Sequence, residues 1–125
     1  MAFGDKKNCK VRGFGGVLMT PAVACAANAI YNNGHLLIGV ADEPVEANKP
    51  GWFSRSGEYC FPAPSALTLN AGDKVPCVFT SSIGAIKTAG TGETAYYIGI
   101  ATKPKTSGET VVYVELNLQN VTEVA

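Results

Sequence analysis

The stretch LLIGVADEP, residues 36–44, occurs a second time with small changes as YYIGIATKP, residues 96–104. At an offset of sixty positions Gly39 aligns with Gly99 and Pro44 with Pro104. The pattern predicts a strand that ends in a corner, because the glycine permits a close backbone approach or a bulge and the proline ends strand pairing. Two such corners indicate a pseudo-symmetric barrel or clip, in which the two glycines occupy comparable positions on two strands.

The rest of the chain consists of short apolar runs separated by turn residues, which is typical of an all-β domain. The segment 32–34, Asn-Asn-Gly, predicts a hairpin turn. The alternating run 35–41 that follows predicts a strand with Leu36, Ile38 and Val40 on one face. We therefore expect a compact, small β-barrel or β-clip-like single domain.

Two further strands have clear sequence patterns. Residues 51–61, GWFSRSGEYCF, predict a half-buried strand or hairpin with Trp52 in the core. Residues 111–118 predict the most regular strand, with one apolar face made of Val112, Val114, Leu116 and Leu118. No apolar face recurs at helical spacing over three turns, so we expect little helix, and only a short helical turn near residues 64–69 fits the sequence.

The composition divides the chain into three parts. Residues 1–16 form a basic, glycine-rich segment that we expect to be a flexible N-terminal arm, either frayed or ordered on a partner. Residues 17–120 form the β domain, and residues 121–125 form a C-terminal tail. The arm carries four cations against the single acid Asp5; they are Lys6, Lys7, Lys10 and Arg12.

The totals argue for a protein that packs against other protein. Ten basic and ten acidic side chains cancel, and only 16% of the residues are charged. A surface with few charges and no net charge associates readily, whereas nucleic-acid binding or membrane binding favours a basic excess.

No apolar run approaches the ~18 residues of a membrane span, and the N-terminus lacks a signal-peptide pattern. We expect synthesis in a cytoplasm, where the four cysteines would remain free, buried thiols; they are Cys9, Cys25, Cys60 and Cys77.

No residue pattern supports catalysis or cofactor binding. The sole histidine, His35, lies beside the predicted turn, and no G-x-S-x-G motif is present. The chain has no C-x-x-C motif and no second histidine for a zinc site, and its glycine-rich segments lack the G-K-[ST] ending of a phosphate loop. The adjacent acids Asp42 and Glu43 are interpreted as solvated loop charges. We therefore expect a protein that is not an enzyme and that uses no cofactor and no metal.

Five short stretches follow one another in an informative order. They are IGVA (38–41), YCFP (59–62), NAGDKVPCV (70–78), IGIA (98–101) and VVYVELN (111–117). In this order the chain resembles the small capsid cement, or head-decoration, proteins of tailed bacteriophages and prophages. The resemblance covers most of residues 20–118.

The resemblance implies a structural virion protein, assembled in the host cytoplasm and bound to the outer surface of the capsid. It implies the major capsid protein as partner, stabilisation of the capsid lattice, and a homotrimer, without direct nucleic-acid or membrane contact. The arm then provides the candidate capsid contacts; they are Lys6, Lys7, Lys10, Arg12 and Phe14.

Two other functions remain open at this level. A carbohydrate- or small-molecule-binding β module of a phage fibre or adhesin would use Trp52, Tyr96 and Tyr97 as a platform for a sugar ring. An enzyme would need His35 or one of the thiols as an essential group.

Overall fold

The computed structural model of the chain describes residues 16–124, and their regular secondary structure is almost entirely β. The strands are β1 (Val17–Met19), β2 (Ile30–Asn32), β3 (Ile38–Ala41), β4 (Gly51–Ser54), β5 (Ser56–Pro62), β6 (Lys74–Val78), β7 (Ala85–Ile86), β8 (Ala95–Ala101), β9 (Val111–Asn117) and β10 (Thr122–Glu123). One 3-10 helix, Leu118–Asn120, lies between β9 and β10. The prediction of an all-β fold with little helix is confirmed, and residues 64–69 contain turns rather than a helix.

The strands form two antiparallel sheets that curl toward each other. The first sheet has the order β1-β4-β3-β2, and the second has the order β5-β9-β8-β6-β7, with β10 paired to β8. Only Arg55 separates β4 from β5, so the chain passes almost directly from one sheet into the other. At the opposite side, β2 bonds to the segment before β7, where Asn32 N donates to Ser82 O and Gly84 N donates to Ile30 O, both at 2.8 Å. The result is a curled, half-barrel arrangement.

The chain contains a structural repeat of four strands. The first unit is β1 to β4, and the second unit is β5, β6, β8 and β9. In sheet order, β1-β4-β3-β2 corresponds to β5-β9-β8-β6. The segment 79–94, which includes β7, has no counterpart in the first unit, where β2 and β3 are joined by the short turn 33–37.

The corners of the two units have the same backbone hydrogen bonds. Cys25 and Val45 exchange two N–H to O bonds of 2.8 Å in the first unit. Leu69 and Lys105 exchange the same two bonds, at 2.8 and 3.0 Å, in the second. Each corner then turns through a residue with positive φ, a conformation that asparagine and glycine tolerate best. These residues are Asn28 and Asn48 in the first unit and Gly72 and Gly108 in the second.

The repeated sequence stretches occupy the positions that the sequence predicts. Gly39 lies in β3 and Gly99 in β8, and each strand leads to a loop that contains the aligned proline, Pro44 or Pro104. Both glycines are at points of close approach to the next strand. A Cβ atom on Gly39 would lie 2.6 Å from the Cβ of Phe53, and one on Gly99 would clash with the backbone carbonyl oxygen of Glu115. The corner interpretation of the repeat is therefore confirmed.

The two units pack with one face of the first unit against the interior of the second. The sheet of the first unit has an inner face, which its own corners cover, and an outer face on the other side. The inner face and corners form a small core of Met19, Cys25, Tyr31, Ala41, Val45 and Phe53. The outer-face residues Ile30, Ile38 and Val40 belong to the larger core, together with buried residues of the second unit that include Phe61, Val75, Val112 and Val114.

Two sequence-based assignments of side-chain direction are wrong. Trp52 is 43% exposed, whereas its neighbour Phe53 is fully buried, because consecutive residues of β4 face opposite sides and Phe53 pairs with Ala41 on the inner face. Leu36 is exposed and has a φ of 63°, so it belongs to the turn and not to the strand. The alternation of Leu36 with Ile38 in the sequence does not reflect a strand, because β3 begins at Ile38.

The described cysteines differ in exposure, which corrects the expectation that all are buried. Cys25 and Cys77 are buried free thiols, and Cys60 is an exposed free thiol on β5. Burial raises the pKa of the Cys77 thiol to about 12 and also raises the pKa of Cys25. Cys9 lies outside the described residues.

This difference predicts a clear pattern of thiol reactivity, because the thiolate is the reactive form. Alkylation of the native protein at mildly alkaline pH should modify Cys60 and leave Cys25 and Cys77 unmodified, as read by peptide mass mapping. The folded pKa of Cys77 lies above its ordinary value of 9.0, so its contribution to stability should be lost as the pH rises from 9.0 toward about 12. Modification of Cys77 at the rate of Cys60 would contradict the assignment.

Candidate functional site

The described residues do not assemble a metal-binding group. Within residues 16–124, no cluster of three or more histidine, cysteine, aspartate or glutamate side chains could hold a metal ion. His35 is exposed in the turn between β2 and β3, where its backbone N donates to the side chain of Asn33. No helix in this part of the chain is long and apolar enough to cross a membrane.

One exposed apolar surface is the outer face of the second unit, which we call the outer sheet face. It is formed by alternate residues of β9 and by the residues of β8 and β6 beside them; they are Lys74, Tyr97, Ile100, Val111, Tyr113 and Glu115. Val111, Tyr113 and Ile100 are 42%, 39% and 41% exposed. Isolated apolar residues are normal on a surface, but several on one sheet face make that face a candidate interaction site.

A bulge in β8 creates this face. Lys74 of β6 pairs with Ile100, and Pro76 pairs with Tyr97, so β8 has one more residue than β6 over this interval. Tyr97 and Ile100 consequently face outward together, whereas Ile98 between them is fully buried in the core. The sequence shows no sign of this bulge other than Gly99.

Charged side chains flank the aromatic rings of the outer sheet face. The Nζ of Lys103 lies 4.4 Å from the centre of the Tyr113 ring, and the Nζ of Lys74 lies 5.4 Å from the centre of the Tyr97 ring. Both distances fall within the range of cation–π attraction. An open depression of about 430 Å³ lies between β6, β8 and the 3-10 helix, and its lining includes Tyr97 and Ile100. This face therefore offers apolar and charged groups in one place.

The same face of the first unit is buried. Register places Val40 of β3 opposite Ile30, as Ile100 of β8 is opposite Lys74. Val40 is fully buried in the shared core, whereas its counterpart Ile100 is exposed. The second unit covers this face of the first unit, whereas nothing comparable within residues 16–124 covers the outer sheet face.

A second surface lies at the corner of the first unit that follows β3. Trp52 of β4 is paired with Leu18 of β1, which is 64% exposed. Beside them is an open groove of about 410 Å³ between the corner loop and β4, which we call the acidic corner groove. Its lining includes Asp42, Glu43, Glu46, Lys49 and Trp52.

The corner that carries this groove is held by a partly buried polar network. Asp42 accepts hydrogen bonds from the Ser54 hydroxyl at 2.7 Å and from the Tyr59 hydroxyl at 2.5 Å. Burial, followed by the hydrogen bond to Asp42, raises the pKa of the Tyr59 hydroxyl well above its ordinary value. Asp42 is thus a structural acceptor that joins the two units, and the interpretation of Asp42 as a solvated loop charge is wrong.

The structure does not assemble the sugar platform considered above. Trp52 lines the acidic corner groove, whereas Tyr97 lines the depression on the outer sheet face. Tyr96 points to the other side of β8 and contacts the ring of Phe79, with 6.4 Å between ring centres. The candidate contacts on the arm lie outside the described residues; they are Lys6, Lys7, Lys10, Arg12 and Phe14.

Comparison with known proteins adds one finding. Residues 14–116 match the family described as phage cement protein, and this match covers both structural units except the C-terminal end of β9. No curated protein and no solved structure matches the chain.

Proposed function

The chain belongs to the phage cement protein family, and on that premise we propose that it binds the outer surface of a phage capsid and stabilises the lattice of the major capsid protein. Family membership indicates a capsid-associated structural role in the virion. The proposed mechanism is the burial of interface area between neighbouring subunits, without a chemical step.

The observation that supports this proposal best is the outer sheet face. Its exposed apolar centre at Ile100 and Tyr113, flanked by Lys74, Lys103 and Glu115, has the composition of a protein interface, in which aromatic residues are enriched and charges lie toward the rim. We propose that this face contacts the capsid. The association of three copies would let several weak contacts act together on one particle.

The N-terminal arm is the second proposed contact. Its four cations and Phe14 would bind an acidic capsid surface, and the support for this is the composition of residues 1–16 alone. A charged contact of this kind weakens as salt is added, whereas an apolar sheet contact does not. The two contacts can therefore be separated by experiment.

The test is co-sedimentation with expanded, undecorated capsids. The unaltered protein should sediment with the capsids, and Ile100→Asp with Tyr113→Asp should weaken binding more than tenfold, since central interface residues contribute about 2 kcal/mol or more. Leu36→Asp is the matched control, because Leu36 is equally exposed but lies in the turn between β2 and β3. Deletion of residues 2–14 tests the arm separately and should reduce occupancy most at low salt.

Each result bears on a different part of the proposal. An unaltered protein that stays in the supernatant while binding a glycan array would replace the capsid function with the carbohydrate alternative. Full binding by the double variant would remove the outer sheet face as the contact. Unchanged occupancy after deletion of residues 2–14 would remove the arm.

A further inference from the structure

The structural repeat places two aromatic residues in equivalent positions with different surroundings. Trp52 of β4 pairs with Leu18 of β1, as Tyr113 of β9 pairs with Cys60 of β5. In the second unit a cation, Lys103, sits 4.4 Å from the centre of the Tyr113 ring. Lys103 comes two residues after the end of β8, at Ala101. In the second unit, the corner that follows β8 thus places a cation over the aromatic ring at this position.

The first unit has an anion where the second has that cation. Glu43 comes two residues after the end of β3, at Ala41, and is therefore the counterpart of Lys103. Within residues 16–124, no cation lies over the Trp52 ring, and the carboxylates of Glu43 and Glu46 have no ion pair or hydrogen bond. An exposed indole ring beside two unpaired carboxylates is a favourable place for a positive side chain.

The chain itself carries a segment of the complementary charge. Residues 1–15 contain four basic residues and one acidic residue, so their net charge is 4 − 1 = +3. Residues 16–125 contain the other six basic and nine acidic residues, so their net charge is 6 − 9 = −3. Three of these nine acids line the acidic corner groove against the single cation Lys49; they are Asp42, Glu43 and Glu46.

The described chain begins at the rim of this groove. Gly16 lies directly against the Trp52 indole, where a Cβ atom would be 2.5 Å from the ring carbon Cζ2. Arg12 precedes Gly16 by four residues, which span at most about 14 Å of extended chain. A segment tethered this close to a groove has a high effective concentration there.

We propose that the acidic corner groove is a binding site for residues 1–15 of the same chain, with a basic side chain of that segment over the Trp52 ring and against Glu43 and Glu46. This binding would form in the first unit the same kind of cation–aromatic pair that Lys103 and Tyr113 form in the second. An arm held in this groove is not free to contact an acidic capsid surface, so capsid binding through the arm requires its release. The proposal concerns the free protein and does not depend on capsid binding.

Trp52 is the sole tryptophan of the chain, so its fluorescence reports directly on the groove. The measurement is acrylamide quenching of the full-length free protein. Glu43→Lys with Glu46→Lys should expose the indole and raise its quenching constant by roughly twofold, as should about 0.5 M sodium chloride in the unaltered protein. Replacement of the four arm cations by glutamate should have the same effect. Combining these replacements with Glu43→Lys and Glu46→Lys should restore low quenching.

Glu123→Lys is the matched control, because it makes the same charge change on β10, away from the groove. It should leave the quenching constant unchanged. Equal quenching in the unaltered protein and in both charge-reversal variants would overturn the proposal. Quenching that falls as protein concentration rises would also overturn it, because the groove would then hold a segment of a second copy. Since no capsid is present, these results are independent of the sedimentation test.

Discussion

Replacement of Gly99 by alanine should destabilise the protein by about 3 kcal/mol, at the upper end of what overpacking of an interior costs. The added methyl group would clash with the backbone carbonyl oxygen of Glu115 in the neighbouring strand, and it would also approach the Cα of Leu116 to 3.0 Å. A backbone that is paired on both sides cannot move aside without breaking the β8–β9 ladder. Urea unfolding followed by circular dichroism measures the change.

Two other glycines provide the comparison. Gly39→Ala should also destabilise, but less than Gly99→Ala, because its added methyl group meets the side chains of Phe53 and Met19 rather than backbone. Gly90→Ala is the control, since its nearest neighbour is the flexible carboxylate of Glu93 at 3.2 Å. Its effect should be small. Equal stability of the Gly99 and Gly90 variants would show that β8 and β9 do not approach as closely as described.

Replacement of Phe53 by alanine should cost about 3 to 5 kcal/mol, the usual range for removing a fully buried phenylalanine. Phe53 is completely buried in the core of the first unit, where its ring centre lies 5.6 Å from that of Tyr31. The ring lies between the sheet and the corners of the first unit, so its loss leaves a cavity in the smaller of the two cores.

Trp52→Ala is the matched control for Phe53→Ala, because the two residues are adjacent in one strand. Trp52 is 43% exposed, so its replacement should cost less than about 1.5 kcal/mol of unfolding free energy, in spite of the larger side chain. The measurement is again urea unfolding. A larger loss from Trp52→Ala than from Phe53→Ala would reverse the assignment of faces in β4.

Sequence patterns predicted the strands wherever the two faces of a strand differ. Val112, Val114 and Leu116 alternate with polar or exposed neighbours, and all three are buried as expected. In β4 both Trp52 and Phe53 are large and apolar, so alternation could not indicate which of them faces the core. Only pairing with β3, where Phe53 is opposite Ala41, decides this.

The sequence also predicted one pair of corners but missed the other. The corners after β3 and β8 share their glycine and proline, so they can be aligned. The corners at Cys25 and Leu69 have the same backbone hydrogen bonds but no common sequence. The turn residues Asn28 and Gly72 were the available signal for these corners. They do not align at the offset of sixty positions, because segment 79–94 has no counterpart in the first unit.

By itself, the sequence determined the properties that depend on neighbours along the chain. These are the alternation of strands, the turns at asparagine and glycine, and the close approach that requires Gly99, because backbone conformation and side-chain direction repeat over a few residues. Tertiary structure decided which faces are covered. Val45 and Lys105 occupy equivalent corners, and the charged Lys105 is buried there with its Nζ donating to the Leu67 carbonyl at 2.6 Å. Val40 and Ile100 likewise have similar side chains, and one is buried and the other exposed because the second unit packs on the first, whereas none of the other described residues packs on the outer sheet face of the second.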